Sequence, residues 1–345
     1  MFHSLFMENH FCILVRICWV FTVDDAVHQS WEDNEDVAHE DMDHRREVFP
    51  KLVHHSQTDD WNIEKQNSTD VRDTGNCLVL HVICTERSLH EPMFYFLAML
   101  ALTDLCMGLS TVHTVLGILW GLSREIGLDA CIAQTFFVHG LSCVESGVLL
   151  AMAFDRFTAI CSPLRYTSIL TNTRISNIGV VILGRSFLFI TAPIVRLKFF
   201  HYCRPRILSH SFCLHQDLLR LACSDIRFNS FYALALVICT LLLDSVLIFI
   251  SYILILRSVL TIASQEERLK SLKTCVSHIC AVLVFYIPII GLTMVHRFGK
   301  HLSPVVHALM GNIYILFPPL MNPIIYSIKT QQIRNRIQRW FIKQT

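Results

Sequence analysis

Asp155 and Arg156 are adjacent ionisable residues at the end of a long apolar stretch. Charged side chains are costly at membrane depth, and those that occur there usually serve a function. From Cys131, which opens the same stretch, to Arg156 a helix would rise about 37 Å, so the two residues would lie near opposite membrane faces. Arg156 alone could be an interfacial arginine that reaches toward water. Beside Asp155, it is a candidate functional site.

Two more carboxylates lie inside apolar stretches. Asp104 would stand about 18 Å along a helix from Pro92, and Glu145 about 16 Å from Arg156, so both acids would reach a similar membrane depth. Intramembrane acids are functional-site candidates by default. Two neighbouring acids either share a proton or hold a cation, and the residues alone leave both possibilities open.

The composition indicates a membrane protein. The chain has 345 residues, of which 53% are hydrophobic and 17% charged, with a mean hydropathy of +0.46. Soluble domains carry roughly 45–50% apolar and about 25% charged residues. A net charge of +1 without a long basic block argues against a nucleic-acid partner. The scattered histidines form no His-Glu-x-x-His motif, and the cysteines form no Cys-x-x-Cys motif. We therefore expect neither an enzyme nor a bound cofactor.

Six apolar stretches are long enough to span a bilayer, which takes about 20 residues. They cover 93–120, 130–155, 177–195, 229–256, 275–296 and 305–328. Short loops rich in Lys and Arg fall on one side by parity, and the positive-inside rule makes that side cytoplasmic. Inverted repeats and charged pore rings, which a transporter or channel would favour, are not evident.

The amino-terminal part fits less well. Gly75–Cys84 is apolar, but its ten residues would rise only about 15 Å. Residues 1–74 are atypical: an apolar run at 11–23 is followed by polar sequence, and we expect residues 24–74 to be disordered. The glycosylation sequon at Asn67 lies too close to Gly75 to be glycosylated if a helix continues there. This part predicts a truncated or atypical first helix.

Several strings in the chain are similar to the motifs of one family. The sequence Met152-Ala153-Phe154-Asp155-Arg156-Phe157, with Pro163-Leu164-Arg165-Tyr166 after it, resembles the end of the third helix in odorant receptors, which are seven-helix G-protein-coupled receptors. Phe157 replaces the usual Tyr. Lys270–His278 resembles the start of that family's sixth helix, with Lys273 at a position that is usually small. Met321–Tyr326 resembles the Asn-Pro-x-x-Tyr motif of its seventh helix. The resemblance covers about residues 75–343.

The resemblance implies a fold and a set of residue roles. The fold is an all-α membrane protein: a seven-transmembrane helix bundle over 75–329, with residues 330–345 forming a short cytoplasmic amphipathic helix and tail. Disulfides are implied between Cys131 and Cys213 and between Cys203 and Cys223, whereas free thiols are the alternative. A sodium-type site is implied at Asp104 and Glu145 beside Asn322. The residues implied in G-protein coupling and activation are Asp155, Arg156, Tyr252, Lys270, His278, Asn322, Pro323 and Tyr326.

The string Met294-Val295-His296-Arg297-Phe298-Gly299 resembles the fish-like class I branch, whose ligands tend to be carboxylic acids and other hydrophilic odorants. Arg297 pairs readily with a carboxylate, because its guanidinium can bind both oxygens. Tyr286, Thr293 and Arg297 share one helical face by spacing. The expected ligand-binding residues are His139, Gln216, Tyr286, Thr293 and Arg297. An ordinary outer-face charge at Arg297 and a core histidine at His139 are the alternatives.

The sequence thus predicts an odorant receptor in the plasma membrane. Its partners would be a small odorant, a heterotrimeric stimulatory G protein and membrane lipid. A second hypothesis follows from the polar region before Gly75: a non-functional product of a degenerate receptor gene, or of one joined to a wrong exon, retained in the endoplasmic reticulum. Under that hypothesis six spans would leave residues 1–91 in the cytoplasm.

Overall fold

The computed structural model is dominated by long helices. It describes residues 51–54, 60–119, 125–203, 207–208, 210, 212–262, 264–299 and 302–329. The seven long helices of this part are α1 Asp60–Thr85, α2 Pro92–Leu119, α3 Leu128–Cys161, α4 Asn172–Leu197, α5 Arg227–Leu260, α6 Gln265–Phe298 and α7 Pro304–Lys329. The expected amphipathic helix at 330–345 lies outside the described residues.

The helices α2 to α7 form where the sequence predicts apolar spans. Within the described ranges, these six are long and apolar enough to cross a membrane. Two of them begin at a side-chain cap: Thr171 accepts a bond from the Arg174 backbone N–H before α4, and Ser264 accepts one from Glu267 before α6. Such caps satisfy backbone donors that the first helical turn leaves free.

Helix α1 departs from the sequence prediction. Its backbone is helical from Asp60, whereas the sequence predicts a bundle that starts at Gly75 with a truncated or atypical first helix. The backbone continues as helix through the polar residues and packs against α2 and α7. Arg72 is buried within this packing and forms an ion pair with the neighbouring Asp73, Nε to Oδ1, 2.7 Å. Pairing and burial against other helices allow a polar segment to remain helical beside a membrane bundle.

A small three-stranded sheet joins the segment before α1 to two loops. Strand β1, Lys51–His54, pairs antiparallel with β2, Glu125–Gly127, and parallel with β3, Ile207–Leu208. β2 precedes α3, and β3 lies in the connection between α4 and α5. The segment before α1 is therefore on the same side of the bundle as the α4–α5 loop. This differs from the six-span hypothesis, which puts residues 1–91 on the opposite side.

Helix α3 lies at the centre of the bundle. It contacts α2, α4, α5 and α6, and 72% of its most apolar stretch is buried, against 22% for α5. α5 contains a wide turn of π-helix at Ile238–Leu242. Its exposed apolar side chains, such as Phe231 and Phe249, suit a lipid environment.

Shorter elements complete the loops. They are the single turns Arg87–Leu89, Pro163–Arg165 and Tyr166–Ile169 on the cytoplasmic side, and the helix His215–Leu221 between α4 and α5. We call His215–Leu221 the lid helix, because it covers the outer end of the bundle.

Candidate functional site: an odorant cavity and its connection to the cytoplasmic face

Two disulfides hold the lid helix in place. Cys131 at the start of α3 is bonded to Cys213, with Cα atoms 5.4 Å apart, and Cys203 is bonded to Cys223 at 6.0 Å. These are the two pairs that the resemblance implies. Gln134 adds a hydrogen-bonded tie, because its Oε1 accepts from the Cys213 backbone N–H at 2.7 Å. The lid is thus fixed to the outer end of α3.

An inner cavity lies beneath the lid helix. It encloses about 750 Å³ of unfilled space, its open mouth included, and is walled by α3, α4, α5, α6, α7 and the lid helix. Most of the lining side chains are aliphatic. The polar exceptions include His139 and Ser142 on α3, Gln216 on the lid helix and Thr293 on α6. An apolar cavity with a few polar groups is typical of a small-molecule site.

Two histidines join the lid helix to the cavity wall. The His215 backbone N–H donates to His139 Nε2 at 3.3 Å, and the two rings meet edge to face. Burial, and in smaller part His139 nearby, lower the pKa of His215 to about 3. His215 is therefore neutral at physiological pH, and it contributes hydrogen-bonding capacity to the cavity without a charge.

An outer vestibule opens above the inner cavity. Arg220, Arg297 and His296 line it, together with Gln216 and Thr293, which also line the inner cavity. Arg297 is exposed, and its guanidinium donates to the Ser230 backbone carbonyl at 3.2 Å. The expected ligand residues are thus divided between two connected spaces, with His139 lining the inner cavity and Arg297 the vestibule.

Tyr286 does not line either space. Its hydroxyl lies 2.9 Å from Ser146 Oγ, which also donates to Asp244 Oδ2 at 2.9 Å. Its spacing from Thr293 and Arg297 puts it on their helical face, but lower in the bundle, where it bonds to α3. This geometry does not support a direct contact between Tyr286 and a ligand.

Asp244 and Arg185 form an ion pair that the sequence reasoning did not predict. The two terminal nitrogens of the Arg185 guanidinium, Nη1 and Nη2, donate to the Asp244 carboxylate at 3.0 and 2.8 Å. Asp244 is fully buried in α5, whereas the Arg185 side chain on α4 is 27% exposed. Together with Ser146 and Tyr286 they join four helices just below the cavity. Two opposite charges inside separate apolar spans were the available signal.

The two mid-membrane acids share one hydrogen-bond donor. The Asn322 amide donates to Asp104 Oδ2 at 3.1 Å and to Glu145 Oε1 at 3.3 Å, and all three side chains are buried. Asp104 Oδ1 has no hydrogen-bond partner among the described residues. Carboxylate oxygens are suitable ligands for a hard cation such as sodium, and two neighbouring carboxyl groups can also share a proton. Arg72 on α1 packs against Gly108, one turn beyond Asp104, and brings a positive charge close to the pair.

At the cytoplasmic end, Asp155 holds Arg156. The Arg156 Nε donates to Asp155 Oδ2 at 2.9 Å, and a second guanidinium N–H donates to the same oxygen. Tyr166 from the following loop donates its hydroxyl to Asp155 Oδ1 at 2.7 Å. Burial and the Asp155 charge raise the pKa of Tyr166 above its usual value. The phenol therefore remains a donor, and the arginine is restrained against its own helix.

Other implied activation residues form contacts between α3, α5, α6 and α7. The Tyr252 hydroxyl lies 2.6 Å from His278 Nδ1, which connects α5 to α6. Tyr326 donates to the Met152 sulfur at 3.9 Å, which connects α7 to α3. Pro323 lies inside α7, against Gly75 of α1. Lys270 falls within α6, and its side chain lies outside the described residues.

The fold and these contacts define a class of protein: a seven-helix membrane receptor with an outer cavity and a restrained Asp-Arg pair at its inner face. The bundle is similar to the crystal structure of squid rhodopsin, with a TM-score of 0.68, 18% sequence identity and coverage of 83% of this chain and 87% of that one. That likeness concerns the fold.

The chain belongs to the olfactory receptor family, whose model matches residues 71–344. It is 78% identical over 267 residues to human olfactory receptor 51V1, covering 77% of this chain and 83% of that receptor. It is 58% identical over 267 residues to human olfactory receptor 51B5, covering 77% and 86%. These relatives are consistent with the class I branch that the sequence predicts. The protein is a multi-pass membrane receptor for odorants that acts through a G protein, and it is not an enzyme.

Proposed function

We propose that the odorant is a small carboxylic acid or a similarly hydrophilic molecule. The observation that carries this proposal is the position of Arg297, which lines the vestibule with Gln216 and Thr293, two of the residues that also line the inner cavity. A carboxylate beside Arg297 would leave its hydrocarbon tail pointing toward aliphatic walls. The donor that the ligand needs is already exposed at the cavity mouth.

Binding at this position requires Arg297 to exchange one partner for another. Its guanidinium now donates to a neutral backbone carbonyl of α5. Charge-assisted bonds to a carboxylate are shorter and roughly twice as strong as bonds between neutral groups. The exchange would draw α6 toward the ligand. His139 and Gln216 would supply further hydrogen bonds at the lid.

We propose that the ligand shifts a population of helix arrangements. Tyr286 lies on the same helical face as Thr293 but deeper in the bundle, and it reaches α5 through Ser146 and Asp244. A movement of α6 would alter this contact and, further down, the bond between His278 and Tyr252. A ligand shifts the equilibrium only by its differential affinity for the two states. Release of Arg156 from Asp155 would then expose a cation to a stimulatory G protein.

Asp104 and Glu145, with Asn322, would hold a sodium ion in the resting arrangement. The ion would supply the positive charge that allows both acids to be ionised at the same depth. A shared proton on the pair is the alternative that the geometry equally supports.

The plasma membrane, with its lipid, is the proposed place of action. Within the described ranges, α1 is not among the helices that are apolar enough to cross a membrane. This property of α1 affects whether the chain reaches the plasma membrane. Retention in the endoplasmic reticulum is the competing outcome. Surface labelling of the intact full-length chain distinguishes the two.

The test of the ligand proposal compares acids with matched alcohols in a cAMP assay. Arg297→Gln should raise the half-maximal concentration of short acids by about 10-fold and leave alcohols nearly unchanged, since the charge-assisted bonds to the carboxylate are lost. Arg196→Gln is the matched control, because Arg196 is also an exposed outer arginine but lies outside both spaces. An equal loss for acids and alcohols would remove the charge-pairing argument.

A further inference from the structure

Three histidine rings lie in a row between the lid and the outer ends of α6 and α7. His210, just before the lid helix, has its ring centroid 5.2 Å from that of His296 at the end of α6. The His296 ring is in turn 5.6 Å from His307 at the start of α7. We call these three residues the histidine row. It connects the segment before the lid helix to the outer ends of α6 and α7, two helices that are consecutive in the chain.

The row is packed as part of the protein interior. His210 and His307 are buried, and Asp217 of the lid helix is buried beside them. A Cβ at Gly311 of α7 would overlap the His210 ring, so α7 provides a close-fitting wall. Contact between these rings therefore depends on the lid staying against α6 and α7.

Hydrogen bonds fix the two ends of the row and leave its middle unpaired. His210 Nδ1 lies 2.6 Å from Asp217 Oδ2, and His307 Nε2 lies 3.1 Å from the Gly299 carbonyl. Among the described residues, neither ring nitrogen of His296 has a hydrogen-bond partner, nor does His307 Nδ1. A buried imidazole normally has both nitrogens satisfied, so these atoms are open to a proton.

The charged groups described around the row disfavour a second proton. Within the part of the chain that the structure describes, Asp217 is the acid that faces the row, and it is already bonded to His210. The other charged groups nearby are basic: Arg220 on the lid helix and Arg297, which follows His296 on α6. A second positive charge would lie about 5 Å from the first, at a distance where like charges repel strongly in a low dielectric.

One member of the row also faces the vestibule. His296 lines the vestibule together with Arg220 and Arg297. Histidine is the side chain that ordinarily changes charge between about pH 5 and pH 8. A metal is a weaker candidate, because no group of three His, Cys, Asp or Glu side chains converges closely enough to hold one within the described part of the chain.

We propose that the histidine row is a proton-binding latch, closed when it holds at most one proton and opened by mild extracellular acid. A second proton would push the lid away from the outer ends of α6 and α7. Because Gln216 of the lid lines both the vestibule and the inner cavity, opening the latch would weaken odorant binding. That last consequence rests on the proposed function; the latch itself does not.

The experiment measures thermal unfolding of the purified receptor in lipid nanodiscs, without odorant. Between about pH 7.5 and about pH 5.5 the melting temperature of the wild type should fall by about 4 °C more than that of His296→Asn. His201→Asn is the matched control, because His201 is an exposed histidine in the same loop. It should fall as the wild type does.

Three outcomes would overturn the latch: no fall in the wild type, an equal fall in His296→Asn, or a stabilisation by micromolar Zn²⁺ at neutral pH that His296→Asn abolishes. The last result would assign the row to a metal. If His296→Asn does not fold, His307→Asn takes its place, because it also removes one of the unpaired ring nitrogens. Since no odorant is present, failure of the acid-odorant proposal leaves this result unchanged.

Discussion

Replacing Asp244 by Asn should destabilise the receptor strongly, because it breaks a buried ion pair. The Asp244 carboxylate accepts three hydrogen bonds, two from Arg185 and one from Ser146. Removing one partner of a buried pair costs about 3–5 kcal/mol. The Arg185 side chain is 27% exposed, so part of its charge remains solvated, and we take about 3 kcal/mol. At about 2–4 °C per kcal/mol, the melting temperature would fall by about 6–12 °C.

The assay is thermal unfolding in nanodiscs of Asp244→Asn, Arg185→Gln and the double variant. If the two residues act as a pair, the double variant should lose about 2 kcal/mol less than the sum of the single losses. Lys198→Gln is the control, since Lys198 forms an ion pair with Asp129 at 3.3 Å in which both side chains are more than half exposed. Exposed pairs contribute little. Additive losses, or an equal loss in Lys198→Gln, would refute the reasoning.

Three further predictions concern the inner face, the lid and α1. Asp155→Asn should raise agonist-independent cAMP several-fold, because it loosens the hold on Arg156; unchanged basal cAMP at equal surface level would contradict this. Cys131→Ser and Cys213→Ser should each prevent surface delivery, and the double variant should be no worse than either single variant. Surface labelling measures this, and additive losses would contradict the pairing. Asn67→Gln should leave the glycosidase-sensitive band shift unchanged, because Asn67 falls inside the backbone of α1; a shift lost in the variant would show that Asn67 reaches the lumen.

The six apolar spans were predictable because length and hydropathy are properties of a local stretch. Each predicted span corresponds to one observed helix. The predicted and observed ends differ by a few residues at most positions, and by about ten residues at the start of α6. The greatest extension occurs at α6, which begins at Gln265, in polar sequence that is helical beyond the membrane. Hydropathy alone cannot detect such an extension, because a helix in water needs no apolar residues.

The length of the first helix was not predictable for a related reason. Hydropathy stops at Gly75, but the backbone remains helical from Asp60. Arg72 is buried by α2 and paired with Asp73, and both facts arise from packing. A composition argument treats every charge as exposed to lipid or water, so it could not foresee a charge covered by a neighbouring helix.

Local sequence signals were sufficient to establish the class of the protein. Apolar length predicted the bundle, and motif strings such as that around Asp155 and Arg156 predicted the family and both disulfides. These signals lie within single stretches of the chain, or depend on residue type alone.

The meeting of distant residues, by contrast, became visible in the folded bundle. Packing separated Tyr286 from the cavity, joined Arg185 to Asp244, and aligned His296 with histidines from two other segments. Those contacts depend on the rotation and depth of each helix in the bundle. Both are set by packing against neighbours rather than by the residues of any one span.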